Sequence, residues 1–186
     1  LQARIRPHFL FNSMNTIAAL TRTNPEAAEQ ATEDLADLFR ASLASSTSSI
    51  SLEQEIEVMR VYQRMEEQRL GDRLSVNWEL ADMPWDMRLP GLTIQPLLEN
   101  AIYHGIETLP EGGVIEVKGL VADGMVKISV TNPIAVHQQS SSSQGNQLAL
   151  DNIRQRLELA YGGCSKLEIE KLDDTYCVQV GFPLTA

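Results

Sequence analysis

Apolar positions change their period part-way along the chain. Up to residue 72 they recur at helical spacing. Ile5, Phe9, Met14 and Ile17 fall three to five residues apart and predict one helix. Asn24-Pro25 interrupts the pattern, and Ala27, Ala28, Ala31, Leu35, Leu38 and Phe39 resume it on a second. The run Ser45 to Ser49 predicts a loop. Ser51, with Gln54 three residues on, has the form of a capping box, opening a third helix that turns Leu52, Ile56, Met59, Tyr62 and Met65 inward. From Leu74 the period shortens to two: Val76, Trp78 and Leu80 alternate with polar residues, as in a half-buried strand. Residues 92–104 return to helix. Residues 114–121 and 125–131 predict a strand pair about a turn at Asp123-Gly124. Residues 148–161 predict an amphipathic helix stopped at Gly162-Gly163, and residues 166–172 and 176–182 a closing hairpin. The expected class is α+β. Residues 1–72 form a helical region, and residues 73–186 a layered unit with strands on one side and helices on the other.

Composition narrows the functions open to such a chain. Its 186 residues suit one large domain or two small ones, and 43% hydrophobic with 22% charged residues is too apolar for a disordered segment. Fifteen Lys and Arg against twenty-five Asp and Glu give a net charge of −10, which argues against a nucleic-acid surface. A bound nucleotide stays open, because it needs local donors and not net charge. No apolar run approaches the ~18 residues of a membrane span. The first residues read as mid-helix without an initiating Met, so we expect a fragment of a longer protein. Cys164 and Cys177 lack CxxC spacing and lie far from the histidines, so neither zinc nor a disulfide framework is expected. The polar run at 137–147 predicts a flexible lid between a strand and a helix, and His137 within it is read as incidental.

Two short segments carry the chemistry. In the first, Arg6-Pro7-His8-Phe9-Leu10-Phe11-Asn12-Ser13, His8 and Asn12 stand four residues apart and share a helical face. A neutral imidazole is a competent phosphoryl acceptor near pH 7, and an amide one turn away can position a phosphate or a water. Pro7 removes a backbone donor and predicts a bend that exposes His8. In the second, Gln95 to Gly105, Asn100 and His104 are spaced one turn apart, with Glu99 beside Asn100. An amide oxygen suits Mg²⁺, and a carboxylate there can act as general base. The helices of residues 1–45 also present an apolar stripe that a second copy would cover as a four-helix bundle.

The stretch PHFLFNSMNTI and the pattern over residues 52–76 resemble the LytS/YehU-type sensor histidine kinases, and within them most nearly the AlgZ/FimS sensors paired with AlgR-type regulators. The resemblance implies a helical dimerisation and phosphoacceptor segment (1–72) followed by a GHKL-type α/β sandwich that binds ATP and Mg²⁺ (73–186). It makes His8 the acceptor, with Asn12 beside it, Glu99 the base, Asn100 the Mg²⁺ ligand, and His104 and Gly105 phosphate-side contacts. Asn132 stands where the family carries an adenine-binding Asp. Gly145 is the surviving glycine of a phosphate loop, in which Gln147 and Ala149 replace others. Leu150 lies within that box, Asn152, Arg156 and Leu157 match its N-x-x-x-R-L tail, and Thr175 matches the threonine near adenine. The implied partners are a response regulator of AlgR/LytTR type and a second copy of the chain, in the cytoplasmic part of an inner-membrane sensor. The missing glycines leave an alternative: a degenerate kinase serving as a non-catalytic module for dimerisation and regulator binding.

Overall fold

The computed structural model describes residues 7–44, 49–135 and 144–184. Helix α1 (Pro7–Thr23) meets helix α2 (Pro25–Ala44) across Asn24, whose side-chain oxygen accepts from the Ala27 N–H at 3.2 Å. A proline opening a helix removes a donor that would have no intrahelical partner. The bend expected before His8 concerns residues ahead of Pro7, and these, with Ile5, lie outside the described residues. Of the expected inward positions on α1, Phe9 is buried and Ile17 half-buried, while Met14 is exposed. On α2, Ala28, Ala31 and Leu38 are buried as the spacing predicts.

A short strand β1 (Ser49–Ser51) pairs antiparallel with β3 (Arg88–Pro90). Ser51 then caps α3 (Leu52–Leu70) in a complete capping box with Gln54. All five expected inward residues of α3 are buried. The helix is shared by both parts of the chain. Toward the front, Tyr62 stacks on Phe9 of α1 at 4.8 Å, and Arg64 forks onto the buried Asp34 of α2 at 2.9 and 3.1 Å. Toward the rear, its apolar stripe joins the core of the sheet.

That sheet runs β2-β4-β5-β7-β6, with β2 (Leu74–Glu79) parallel to β4 (Gly113–Ala122) and the other neighbours antiparallel. Strand β5 (Met125–Pro133) follows β4 through Asp123 and Gly124, both at positive φ (54° and 70°), the tight hairpin turn the sequence predicts. Strands β6 (Lys166–Leu172) and β7 (Thr175–Pro183) form the closing hairpin. Ile115, Val117, Val126, Ile128, Val180 and Phe182 face helices α3, α4 (Gln95–Asn100) and α5 (Gln144–Tyr161), whose Met59, Leu97, Leu98, Leu150, Ile153 and Leu157 complete one core.

Two expectations are corrected here. The helix read over 92–104 is α-helical over Gln95–Asn100 only. It then widens into a π turn, Ala101–Gly105, marked by the Ile106 N–H donating to Ala101 O as well as Ile102 O. Such widened turns recur at functional sites. The second correction concerns the expected lid. Residues 144–147 are already the first turn of α5, so the part of the lid read there is helix. His137 and the remainder of that lid lie outside the described residues.

Candidate functional site

His8 stands exposed in the first turn of α1. Its Nδ1 lies 3.2 Å from the side-chain nitrogen of Asn12, one turn on, as the four-residue spacing requires. Phe9 anchors this turn through its stack on Tyr62. The imidazole meets the ring of Tyr103 edge-on, with centroids 6.3 Å apart, and Tyr103 meets the ring of His104 in the same manner at 4.8 Å. The fold thus brings His8 to the turn that carries His104 and Gly105 and that continues directly from Glu99 and Asn100.

What holds that turn in place was not expected. Glu55 points inward from α3, fully buried, and its carboxylate accepts from the backbone N–H groups of Leu92 (2.9 Å), Ile94 (2.8 Å) and Gln95 (3.0 Å). Burial pushes its carboxyl above the usual glutamate range, and these N–H donors oppose the shift. Leu92 sits at φ 59°, a left-handed conformation uncommon for a non-glycine residue. Glu55 holds its N–H while Arg156 of α5 donates to its carbonyl at 3.0 Å and to that of Gly91 at 2.9 Å. Two helices therefore pin the strained entry to α4, and Glu99 and Asn100 follow from it. Glu99 is half-buried and accepts from Gln95 at 2.8 Å, and Asn100 is buried.

Asn132 reaches the same turn from β5. Its amide nitrogen donates to Pro133 O at 2.8 Å and packs on Gly105, where an added Cβ would come within 2.2 Å of it. Gly105 is therefore needed for close approach of the turn to β5. Asn132 and Gly105 are thus brought together, and His104 precedes Gly105 in the same turn. Thr175 is not placed with them: the cross-strand partner of Asn132 is Tyr176, and Thr175 pairs with Pro133. Successive strand residues point to opposite faces, so Thr175 lies on the face away from Asn132.

On α5 the motif letters serve the fold. Gly145 lies in the helix's first turn, Leu150 is buried in the core, Arg156 is directed at the Gly91–Leu92 carbonyls, and Asn152 is exposed. Sequence reading missed Glu55, Glu66, Tyr103 and Tyr176. The two glutamates did leave a signal: each is an acidic residue within the apolar stripe of α3, three residues after Leu52 and four after Tyr62.

Comparison with known proteins fits this arrangement. A family described as histidine kinase matches residues 1–74. The sensor protein LytS of Oceanobacillus iheyensis is 33% identical over 98% of this chain, which spans 34% of that protein. The chain belongs to the LytS/YehU-type sensor histidine kinases. The sensor histidine kinase YpdA of Escherichia coli is 32% identical to this family member over 93% of its length, covering 32% of YpdA. The chain thus spans about a third of the curated relatives it matches. Among solved structures, histidine kinase ThkA in complex with the response regulator protein TrrA aligns over 96% of this chain and 59% of that one, with a TM-score of 0.52 at 17% identity. The fold of this LytS-type chain is that of the GHKL-type kinase domains. No helix among the described residues is long and apolar enough to cross a membrane.

Proposed function

We propose that this chain is the acceptor and catalytic portion of an ATP-dependent protein histidine kinase, in which His8 takes the γ-phosphoryl group and passes it to an Asp of a response regulator. The observation that carries this reading is the seating of exposed His8 against Tyr103, on the turn continuous with Glu99 and Asn100. In this reading residues 1–72 are the helical acceptor region and residues 73–186 the ATP-binding one, with α3 joining them. Exposed Phe11, Met14 and Leu43 on the front helices support dimerisation with a second copy. The ThkA–TrrA complex supports a regulator partner, and the AlgZ/FimS-like motif residues support one of AlgR/LytTR type. The relatives' naming as sensors supports placement on the cytoplasmic side of a bacterial inner membrane.

The donor set fits Mg²⁺. The described residues hold no group of three or more His, Cys, Asp or Glu suited to a metal. Mg²⁺ in nucleotide sites needs no such cage, because it keeps waters and binds one or two protein oxygens together with phosphates. Asn100 would supply the protein oxygen, and the ion would neutralise phosphate charge. Glu99 would draw the proton from the acceptor system, Asn12 would orient the His8 ring, and Gly105 would keep the turn against Asn132. Phosphoryl transfer of this type depends chiefly on such positioning and charge.

Incubation with labelled ATP and Mg²⁺ tests the proposal. We expect acid-labile, alkali-stable label that disappears in His8→Ala; undiminished label in that variant refutes His8 as acceptor. A second reading, a non-catalytic module that docks a regulator, is favoured by the burial of Leu150 and the engagement of Arg156 with backbone. It requires that calorimetry detect no ATP binding while regulator binding persists.

A further inference from the structure

A cluster of charges joining α3 to the turn after Gly105 has no part in the proposed transfer. Glu66 of α3 has a side chain 3% exposed. Arg69 donates to it through Nε at 3.0 Å and through Nη2, and the same Nη2 bridges to Glu107. Glu107 lies in the short turn that follows Gly105. His8 approaches this cluster from α1: its neighbour Phe9 stacks on Tyr62, and Tyr62 precedes Glu66 by one turn on the same face of α3. Burial raises the Glu66 carboxyl, Arg69 pulls it back down, Glu107 adds to the rise, and the His8 imidazole opposes it least. Two contacts of the first turn of α1 lead to this cluster: Phe9 stacks on Tyr62, four residues before Glu66, and His8 meets Tyr103, four residues before Glu107. Two carboxylates against one guanidinium leave one surplus negative charge.

We propose that Glu66 is a positioning residue for the acceptor: the surplus negative charge of its cluster, tied to the turn that bears Tyr103, stabilises the imidazole as the ring becomes cationic on bonding to phosphorus. The inference rests on the assignment of His8 as acceptor. In the step itself a ring-nitrogen lone pair forms the N–P bond, the bond from the γ-phosphorus to the bridging oxygen breaks, and its electron pair leaves on ADP. The proton on the other ring nitrogen is still present at that moment, so the ring carries +1. A buried anion is screened little by solvent, so its effect on that charge exceeds that of a surface carboxylate. Arg69 keeps Glu66 in place and shares it with Glu107, which ties the charge to the turn that bears Tyr103.

The test uses this chain with two phosphodonors, Mg²⁺–ATP and potassium phosphoramidate; the second phosphorylates imidazoles without a nucleotide site. In Glu66→Gln we expect labelling of His8 to slow about tenfold with either donor. The ATP dissociation constant by calorimetry should stay within about twofold. Glu66→Asp should recover much of the rate. Should Glu66→Gln fail to fold, Glu107→Gln removes the same surplus charge from a more exposed position and should slow phosphoramidate labelling several-fold. Wild-type phosphoramidate rates in the folded variant overturn the inference, as does a loss of ATP affinity that accounts for the whole fall in rate. So does a wild-type His8 that takes phosphate from neither donor. Labelling of the wild type by phosphoramidate but not by ATP instead sinks the kinase reading and leaves the variant ratio to decide this one.

Discussion

The acceptor end and the nucleotide end of this chain put their motif residues to different use. At the front, exposed His8 and half-buried Asn12 project from the first turns of α1, bonded to each other, with the imidazole edge-on to Tyr103. Phe9 and Ser13, which alternate with them, carry the packing. At the rear, Leu150 is core, Arg156 clasps two carbonyls, Asn132 fills the space above Gly105, and Asn100 is buried. A motif at an exposed helix start can thus be varied with little effect on the fold. A motif threaded through a strained loop and a π turn is part of the fold. Substitutions at the two ends should separate accordingly, with stability falling at the rear and phosphotransfer alone at the front.

The largest effect is expected at Glu55. Glu55→Ala leaves the N–H groups of Leu92, Ile94 and Gln95 buried without their acceptor and releases the positive-φ Leu92. Each orphaned donor costs about 1–3 kcal/mol, and with partial relaxation the total should be about 3 kcal/mol or more in urea unfolding. A loss below about 1 kcal/mol would show that the rear scaffold does not depend on this carboxylate. Gly105→Ala comes next, because the Cβ would stand 2.2 Å from the Asn132 amide. Overpacking of this kind costs about 1–3 kcal/mol, and the displaced turn should weaken ATP binding in calorimetry. Arg156→Ala removes the bonds to Gly91 and Leu92, for about 1–2 kcal/mol. An ATP affinity that falls more steeply than stability would instead return Arg156 to the nucleotide. At the front, Asn12→Ala should leave stability within about 0.5 kcal/mol, because its bond to His8 is exposed. A larger loss would erase the distinction between the two ends.

The same contrast explains what the sequence made legible. The α3 stripe, the capping box at Ser51, the Asp123-Gly124 hairpin and the closing β6–β7 pair follow from period and turn chemistry, which are local. The pairing of His8 with Asn12 is local too, being one helical turn. The rest depends on register and burial. Sequence spacing sets Asn100 and His104 a turn apart on an α-helix, yet the chain widens after Asn100, where Gly105 packs closely on Asn132 of β5. Its place near the last strand points Thr175 to adenine, but the strand register sets Tyr176 opposite Asn132 instead. Leu150 and Arg156 match a phosphate-box pattern letter by letter, and no local signal tells that their side chains turn to the core and to the Gly91–Leu92 loop.

The finest test of the two ends is pH. Glu55 at the rear and Glu66 at the front are both buried, and burial holds both carboxyls above the ordinary glutamate value of 4.5. Over the window from that value up to the raised ones, the native state keeps protons that the unfolded chain has released. The unfolding free energy therefore falls as pH rises through this window, the opposite of the behaviour of a salt-bridged carboxylate with a depressed pKa. Neutral Gln at either position removes that group's share of the slope. Opposition to burial differs in kind: backbone N–H donors act at Glu55, whereas at Glu66 Arg69 lowers the carboxyl and Glu107 raises it. Glu55→Gln and Glu66→Gln should each flatten the dependence of stability on pH, as read from urea midpoints measured between pH 4 and pH 8. An unchanged slope in either variant would mean that the partners at that end offset burial in full, and the two ends would then differ in how well they satisfy a buried carboxylate.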